Sequence, residues 1–225
     1  MRLYILQYAL NPETGSPVPG YLIQTDDGTN ALVDTGFPRG RSGEENFVVN
    51  RLASVGVAPG DINYVVATHL DPDHAGAHDQ FPDAEFVVQR AHYEAAQSRR
   101  HDRFEQMREH WDRPELRYRQ VDGDTELLPG IELIESAGHV PGHQSVLVRL
   151  PNTGPVLLAI DAIPLARQLD PDTRPIGPYD TDEAATRAST RKLVDLARRE
   201  GVALIVHGHD AEQWQTLKKA PDYYD

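Results

Sequence analysis

The feature that most constrains this chain is a dense run of potential metal ligands, the HLDPDH segment at residues 69–74. It follows an apolar segment, residues 62–68, whose β-branched side chains are typical of a buried strand. We expect His69 and Asp71 to leave the strand end on one side. Pro72 favours the first turn of a helix, which would present Asp73 and His74 as a second pair. Two diverging pairs fit two metal ions better than one. The alternative is that Asp71 caps a helix and both histidines are surface loop residues.

Three further positions offer ligands of the same types. His139 follows a predicted strand, and Asp161 and His209 each end an apolar strand. A buried carboxylate without a positive partner is costly, so the position of Asp161 itself indicates a cation nearby. The chain has no cysteine, so any metal must be held by histidine and carboxylate. The candidate ligands are His69, Asp71, Asp73, His74, His139, Asp161 and His209.

The remaining pattern predicts an α/β fold, formed as one domain over residues 1–225. Strands are expected at 3–9, 20–25, 31–34, 62–68, 155–160 and 202–206, with several short ones between 121 and 148. Helices are expected at 50–56, within 89–120 and at 186–200. Residues 164–182 contain several prolines and no periodicity, which predicts a loop.

Charge and hydropathy exclude several function classes. Lys and Arg total 22 against 35 Asp and Glu, a formal net charge of −13, which disfavours binding to nucleic acid. No apolar run approaches the roughly 20 residues that cross a bilayer, so we expect no membrane span. The N-terminal segment is too short and too polar for a signal peptide, which predicts a cytoplasmic protein.

Several motifs resemble those of the N-acyl-homoserine lactonases, within the metallo-β-lactamase superfamily. The superfamily signature is H-x-H-x-D-H followed by separate His, Asp and His ligands. The resemblance rests on the 69–74 segment together with GHQS at 142–145, LLAIDA at 157–162 and GHDAEQ at 208–213. It implies a four-layer αββα sandwich and a dimetal hydrolase that opens the lactone ring of quorum-sensing signals (quorum quenching). It also implies a homodimer.

The resemblance further assigns roles to the candidate ligands. It implies a first ion held by His69, Asp71 and His139, a second held by Asp73, His74 and His209, and Asp161 bridging both. A metal-bridging hydroxide would attack the lactone carbonyl, and Asp73 would also handle the proton. Zinc is the expected metal.

One ligand departs from the signature, because Asp71 stands where the second histidine is expected. Two divalent ions carry +4, and Asp71, Asp73, Asp161 and a bridging hydroxide together carry −4, so the site is neutral. The usual histidine would leave +1. The extra carboxylate should favour harder ions such as manganese or iron(II). The alternative is that it leaves the first ion site weak or empty.

A second departure concerns the group that polarises the substrate. These lactonases carry a tyrosine three residues after the bridging aspartate, and this chain has Pro164 there, which cannot donate a hydrogen bond. Either Tyr179 on the following loop takes over, or the substrate differs.

The family's longer N-terminal segment, which contacts the acyl chain, is also largely missing. Another lactone, a carboxylic ester or a thioester is therefore the alternative substrate. A metal-holding binding or regulatory protein is the alternative from another class.

The other polar residues are expected to have structural or solvent roles. His143 is predicted to support the ligands, His207 to be a core or supporting residue and not a ligand, and Asp34 to be a structural carboxylate near the site. The solvent-exposed set is predicted to be His92, His101, His110 and the arginines from Arg90 to Arg119.

Overall fold

The structure is a computed structural model that describes residues 1–38 and 47–225, and these residues form two β-sheets flanked by helices. The first sheet has the order β1 to β6: Arg2–Leu10, Pro17–Gln24, Asn30–Val33, Tyr64–Val66, Glu85–Gln89 and Arg117–Val121. The second sheet contains β7 to β11: Thr125–Leu128, Ile131–Glu135, Gln144–Leu150, Gly154–Ile160 and Leu204–His207. Across this sheet the strands lie in the order β11, β10, β9, β8, β7. The helices α1 to α7 are Phe47–Ala53, Pro72–Ala75, Arg90–Gln97, Asp102–Glu105, Arg108–Trp111, Glu183–Glu200 and Ala211–Trp214.

The first sheet is covered on both faces, as its strand sequences require. In β1, Leu3 and Ile5 point into the core between the two sheets, whereas Leu6 points to the opposite face. Successive side chains of a strand alternate between faces, so the uninterrupted apolar run at residues 3–6 places apolar side chains on both faces of the sheet, and both faces are buried there. The outer face packs against α1 through Leu52.

The second sheet is built in the same way. In β10, Leu158 faces the inner core and Leu157 faces outward, where it packs with Leu193 of α6. Helix α6 begins at the N-cap Asp182, whose carboxylate accepts the amide of Ala185 at 3.0 Å. The layers therefore run helix, sheet, sheet, helix, which confirms the four-layer αββα prediction.

The predicted helical region at 89–120 is wrong at its C-terminal end. Helices α3, α4 and α5 occupy its first part, but residues 117–121 form β6, which pairs in parallel with β5. Tyr118 lies opposite Phe86 in this register. A lone strand at a sheet edge gains its stability from pairing with a distant segment, which a local helical pattern does not reveal.

The topology brings several strand ends to one edge of the molecule. Strands β3 and β4 are parallel, and so are β10 and β11. Loops that follow these carboxyl ends carry most of the candidate ligands, as in other sheets where sites form at strand ends. Among the described residues, no helix combines the length and apolar composition needed to cross a bilayer.

Candidate metal centre

Asp161 lies at the centre of a cluster of histidine side chains. Its Oδ2 is 3.8 Å from His69 Nε2, 3.8 Å from His74 Nε2 and 3.3 Å from His139 Nε2. Its Oδ1 is 3.1 Å from His209 Nε2. The carboxylate therefore faces four imidazole nitrogens that come from three separate segments of the chain, because His69 and His74 share the segment at 69–74.

The first ligand group contains His69, His139 and Asp161, whose ligand atoms lie within 4.8 Å of one another. Asp71 Oδ2 adds a fourth atom, 3.4 Å from the Nε2 of His69 and 3.4 Å from that of His139. Ligands about 2.1 Å from a tetrahedral zinc ion lie about 3.4 Å apart. The separations of this group match that spacing.

The second group contains Asp73, His74 and His209, also within 4.8 Å of one another. Asp73 Oδ2 is 3.7 Å from His74 Nε2 and 3.7 Å from His209 Nε2. Asp161, a member of the first group, also lies 3.8 Å from His74 Nε2 and 3.1 Å from His209 Nε2 of the second, so its carboxylate stands between the two groups. The seven sequence-predicted ligands are thus brought together.

Each histidine of the cluster is oriented by a hydrogen bond to its outer nitrogen. The four contacts are His69 Nδ1 to Thr68 Oγ1 at 3.0 Å, His74 Nδ1 to Asp34 Oδ2 at 2.8 Å, His139 Nδ1 to Asp180 Oδ1 at 3.2 Å, and His209 Nδ1 to the Pro17 carbonyl at 2.8 Å. Such contacts fix the ring orientation and turn Nε2 toward the site, as is usual for metal-bound histidine.

The backbone around the cluster is shaped to bring these groups close. A Cβ at Gly208 would lie 2.6 Å from Asp161 Oδ1, so glycine is needed beside the central carboxylate. Asp34 has φ 59°, a left-handed conformation that aspartate and asparagine tolerate better than most residues. Asp71 occupies the N-cap position of α2 but makes no side-chain capping hydrogen bond, and both histidines of the 69–74 segment are buried, so the alternative of a helix cap beside surface histidines is wrong.

The carboxylates dominate the electrostatics of the cluster. Burial by itself lowers the pKa of a histidine, but neighbouring carboxylates outweigh it at three of the four. Asp73, Asp34 and Asp161 raise the pKa of His74 to about 10. Asp180, Asp71 and Asp161 raise the pKa of His139 to about 9, and Asp161 and Asp73 raise that of His209 to about 9. The carboxylates thus favour positive charge on these three imidazoles, as expected at a site that attracts cations.

The donor set also leaves buried atoms unused. Nε2 of His69 and Nε2 of His74 are buried and have no hydrogen-bond partner. Buried polar atoms without partners are rare and need an explanation. Divalent ions would satisfy both nitrogens, so the residues present fit a metal centre.

Arg103 is a site residue that the sequence analysis missed. Its Nε donates to Asp71 Oδ1 at 2.7 Å, its Nη2 donates to Asp71 Oδ2, and its Nη1 donates to the Tyr179 carbonyl at 2.7 Å. The prediction that the arginines of this region are solvated is therefore wrong for Arg103. The neighbours of Arg103 in the sequence do not indicate this role, because Asp71 lies 32 positions away in the chain.

The structure also places other polar residues of the sequence analysis. His143 and His207 are buried, bond to Ser136 Oγ and the Ile163 carbonyl, and belong to neither ligand group, so a supporting role for them stays a prediction. His92 is fully buried, so its predicted exposure is wrong. It accepts the Leu70 amide at 2.9 Å and contacts the Pro141 carbonyl at 2.8 Å, which ties two ligand loops together.

A cavity of about 1120 Å³ opens onto both ligand groups. Its walls include Leu10 from the first hairpin, Phe37, Pro164 and Tyr179. Among the described residues, Leu10 and Tyr179 are the two large hydrophobic side chains that are exposed, at 42% and 71%. The centre is thus open to a small molecule that carries an apolar portion.

Comparison with known proteins gives a consistent result. Residues 14–209 match the family model of the metallo-beta-lactamase superfamily. The N-acyl homoserine lactonase AttM of Azorhizobium caulinodans is 36% identical, covering 100% of this chain and 99% of its own. A variant of AiiA from Bacillus thuringiensis, solved with N-decanoyl-L-homoserine bound at the active site, has a TM-score of 0.85 at 30% identity, covering 99% of this chain and 98% of its own. An N-acyl homoserine lactone hydrolase with the product N-hexanoyl-L-homoserine at its catalytic metal centre also has a TM-score of 0.85 at 30% identity. That match covers 99% of this chain and 98% of its own.

The contacts to the outer histidine nitrogens yield a testable prediction. Asp34→Asn should lower the affinity for the second ion, because it weakens the hydrogen bond that orients His74. Asp180→Asn should lower the affinity for the first ion, because it weakens the hydrogen bond that orients His139. Each change should cost about 10- to 100-fold in affinity for one ion. Chelator competition measures both affinities, with the exposed Asp222→Asn as a control. Equal affinities in all three variants and the wild type would contradict the prediction.

Proposed function

The chain belongs to the metallo-beta-lactamase superfamily and, within it, to the N-acyl homoserine lactonases, and we propose that it hydrolyses the lactone ring of N-acyl homoserine lactones. The observation that carries this proposal is the central carboxylate of Asp161, which joins two groups of metal-binding side chains at the floor of an open cavity. The named activity of relatives that match along nearly the whole chain supports the same reaction.

We propose that His69, Asp71, His139 and Asp161 hold one ion, and that Asp73, His74, His209 and Asp161 hold the other. When bound, two divalent ions polarise a carbonyl and lower the pKa of water, which is the chemistry that ester hydrolysis needs. Zinc is the proposed metal, and the additional carboxylate of Asp71 favours manganese or iron(II) as alternatives.

The chain's own residues have to bind the ring and move one proton. The side chain of Asp73 is 24% exposed and lines the cavity, so its carboxylate can reach a bound substrate. We propose that it accepts the proton of the attacking water and returns it to the ring oxygen as the ester bond breaks. The product is then an open-chain hydroxy acid.

The cavity walls supply a place for the acyl chain. Leu10, Val18 and Phe37 line the cavity and offer apolar surface. Burying methylene groups against such a wall stabilises the complex by about 0.8 kcal/mol for each group. Both N-hexanoyl and N-decanoyl substrates are therefore suitable probes.

A second candidate function is hydrolysis of another lactone, a carboxylic ester or a thioester by the same centre. Pro164 favours it, because this residue lines the cavity where the related lactonases carry a hydrogen-bond donor. Its carbonyl instead accepts the amide of His209 at 3.0 Å. The single domain over residues 1–225, the homodimer and the cytoplasmic location stay predictions.

The proposed function predicts metal-dependent ring opening. Each opened ring releases one proton at neutral pH, because the new carboxyl group has a pKa near 4. Metal-stripped protein should be inactive on N-hexanoyl- and N-decanoyl-homoserine lactone. Separate reloading with zinc, manganese, cobalt and iron(II) should restore proton release with at least one metal.

Asp161→Ala serves as the matching variant and should lower turnover by at least about 100-fold with loss of metal, whereas the exposed Asp195→Ala should change neither. Wild-type turnover that survives exhaustive chelation would contradict the metal mechanism. Hydrolysis of esters but not of either lactone, by protein that holds two ions, would favour the second candidate.

We also propose that Tyr179 supplies the hydrogen bond that Pro164 cannot. Its carbonyl is held by Arg103 and its side chain lies at the cavity wall. Tyr179→Phe should then lower kcat about tenfold or more with little change in KM, because a donor to a developing oxyanion acts in the transition state. Steady-state kinetics on the preferred lactone measures this, and an unchanged kcat would remove Tyr179 from the mechanism.

A further inference from the structure

The Asp71 carboxylate has two positive neighbours to satisfy, the first ion site and Arg103. Both of its oxygens accept hydrogen bonds from Arg103, in the bidentate geometry that joins guanidinium to carboxylate most strongly. Oδ2 also remains 3.4 Å from the Nε2 atoms of His69 and His139. The carboxylate therefore faces the ligands of the first ion from one side and a fixed cation from the other.

Arg103 is held in this position by more than Asp71. Its Nη1 donates to the Tyr179 carbonyl at 2.7 Å, and its Nη2 is 3.2 Å from His139 Nε2. Its side chain is 22% exposed and that of Asp71 is 8% exposed. A pair this sheltered from water is screened much less than a surface salt bridge.

The charges explain why the arginine stands there. A carboxylate in place of a neutral histidine lowers the charge of the centre by one, and a guanidinium beside it raises the charge by one. We propose that Asp71 and Arg103 act as one unit that replaces the second histidine of the H-x-H-x-D-H signature. In this unit Asp71 supplies the ligand oxygen, and Arg103 is a positioning residue that fixes the carboxylate and restores the charge. The inference rests on the dimetal centre proposed above.

The unit has a consequence that a simple exchange of ligands does not have. Asp71→His alone restores the signature, yet it leaves the Arg103 cation facing the first ion without its counter-charge. Two like charges a few ångströms apart in a sheltered site repel strongly. The restored histidine should therefore weaken the first ion site, and removal of Arg103 should repair it.

The test compares four proteins: the wild type, Asp71→His, Arg103→Met, and the double variant. Each is stripped and titrated with zinc and with manganese against a chelating indicator, and bound metal is counted by elemental analysis. We expect two ions in the wild type, at least a tenfold loss of affinity for the first ion in Asp71→His, and recovery of two tightly bound ions in the double variant. Arg113→Met, at an exposed salt bridge with Glu115, should change neither affinity.

Two results would overturn the inference. In the first, Asp71→His binds both ions as tightly as the wild type, and adding Arg103→Met changes nothing. In the second, the wild type binds one ion and Arg103→Met binds two, which would place the guanidinium where the first ion belongs. Thermal unfolding of the metal-free proteins identifies a folding defect, and Arg103→Gln provides a second neutral variant. These affinities are measured without substrate, so a wild type that binds two ions and opens no lactone would refute the proposed function alone.

Discussion

The structure depends on one interaction, the placement of a buried carboxylate among four imidazole rings. Asp161 is 6% exposed and lies 3.1 to 3.8 Å from four histidine Nε2 atoms. Burying such a carboxylate is costly without positive charge around it, so the surrounding imidazoles, as proton carriers or as ligands of metal ions, stabilise it. The four-layer fold serves this end, because it brings the ends of strands from both sheets to one edge and leaves a cavity above them.

The precision of the centre comes from the surrounding layer of contacts. Each ligand histidine is held at its outer nitrogen by a hydroxyl, a carboxylate or a backbone carbonyl. Segment 177–180 is itself fixed at two points: Arg103 binds the Tyr179 carbonyl, and Asp180 contacts both His139 and, at 3.8 Å, the buried Arg174. The proline-rich loop thereby becomes a wall of the cavity and contacts the first ligand group through Asp180.

Much of this could be predicted from the sequence because its signals are local. The ligand run at 69–74 is compact, and the strands before Asp161 and His209 are apolar and end abruptly. Arg103, Asp180 and His92 escaped prediction because their roles come from contacts with residues far away in the chain. Arg103 meets Asp71 across 32 positions, and Asp180 meets His139 across 41. The strand β6 escaped for the same reason, since it is specified by pairing with β5 and not by its own pattern.

Anomalous diffraction from crystals loaded with manganese or cobalt tests the central claim most directly. The account predicts two peaks, one on each side of the Asp161 carboxylate and about 3.5–4 Å apart. One peak should lie among His69, Asp71 and His139, and the other among Asp73, His74 and His209. A single peak at saturating metal, or two peaks with Asp161 contacting only one of them, would contradict the claim that this carboxylate joins two ions.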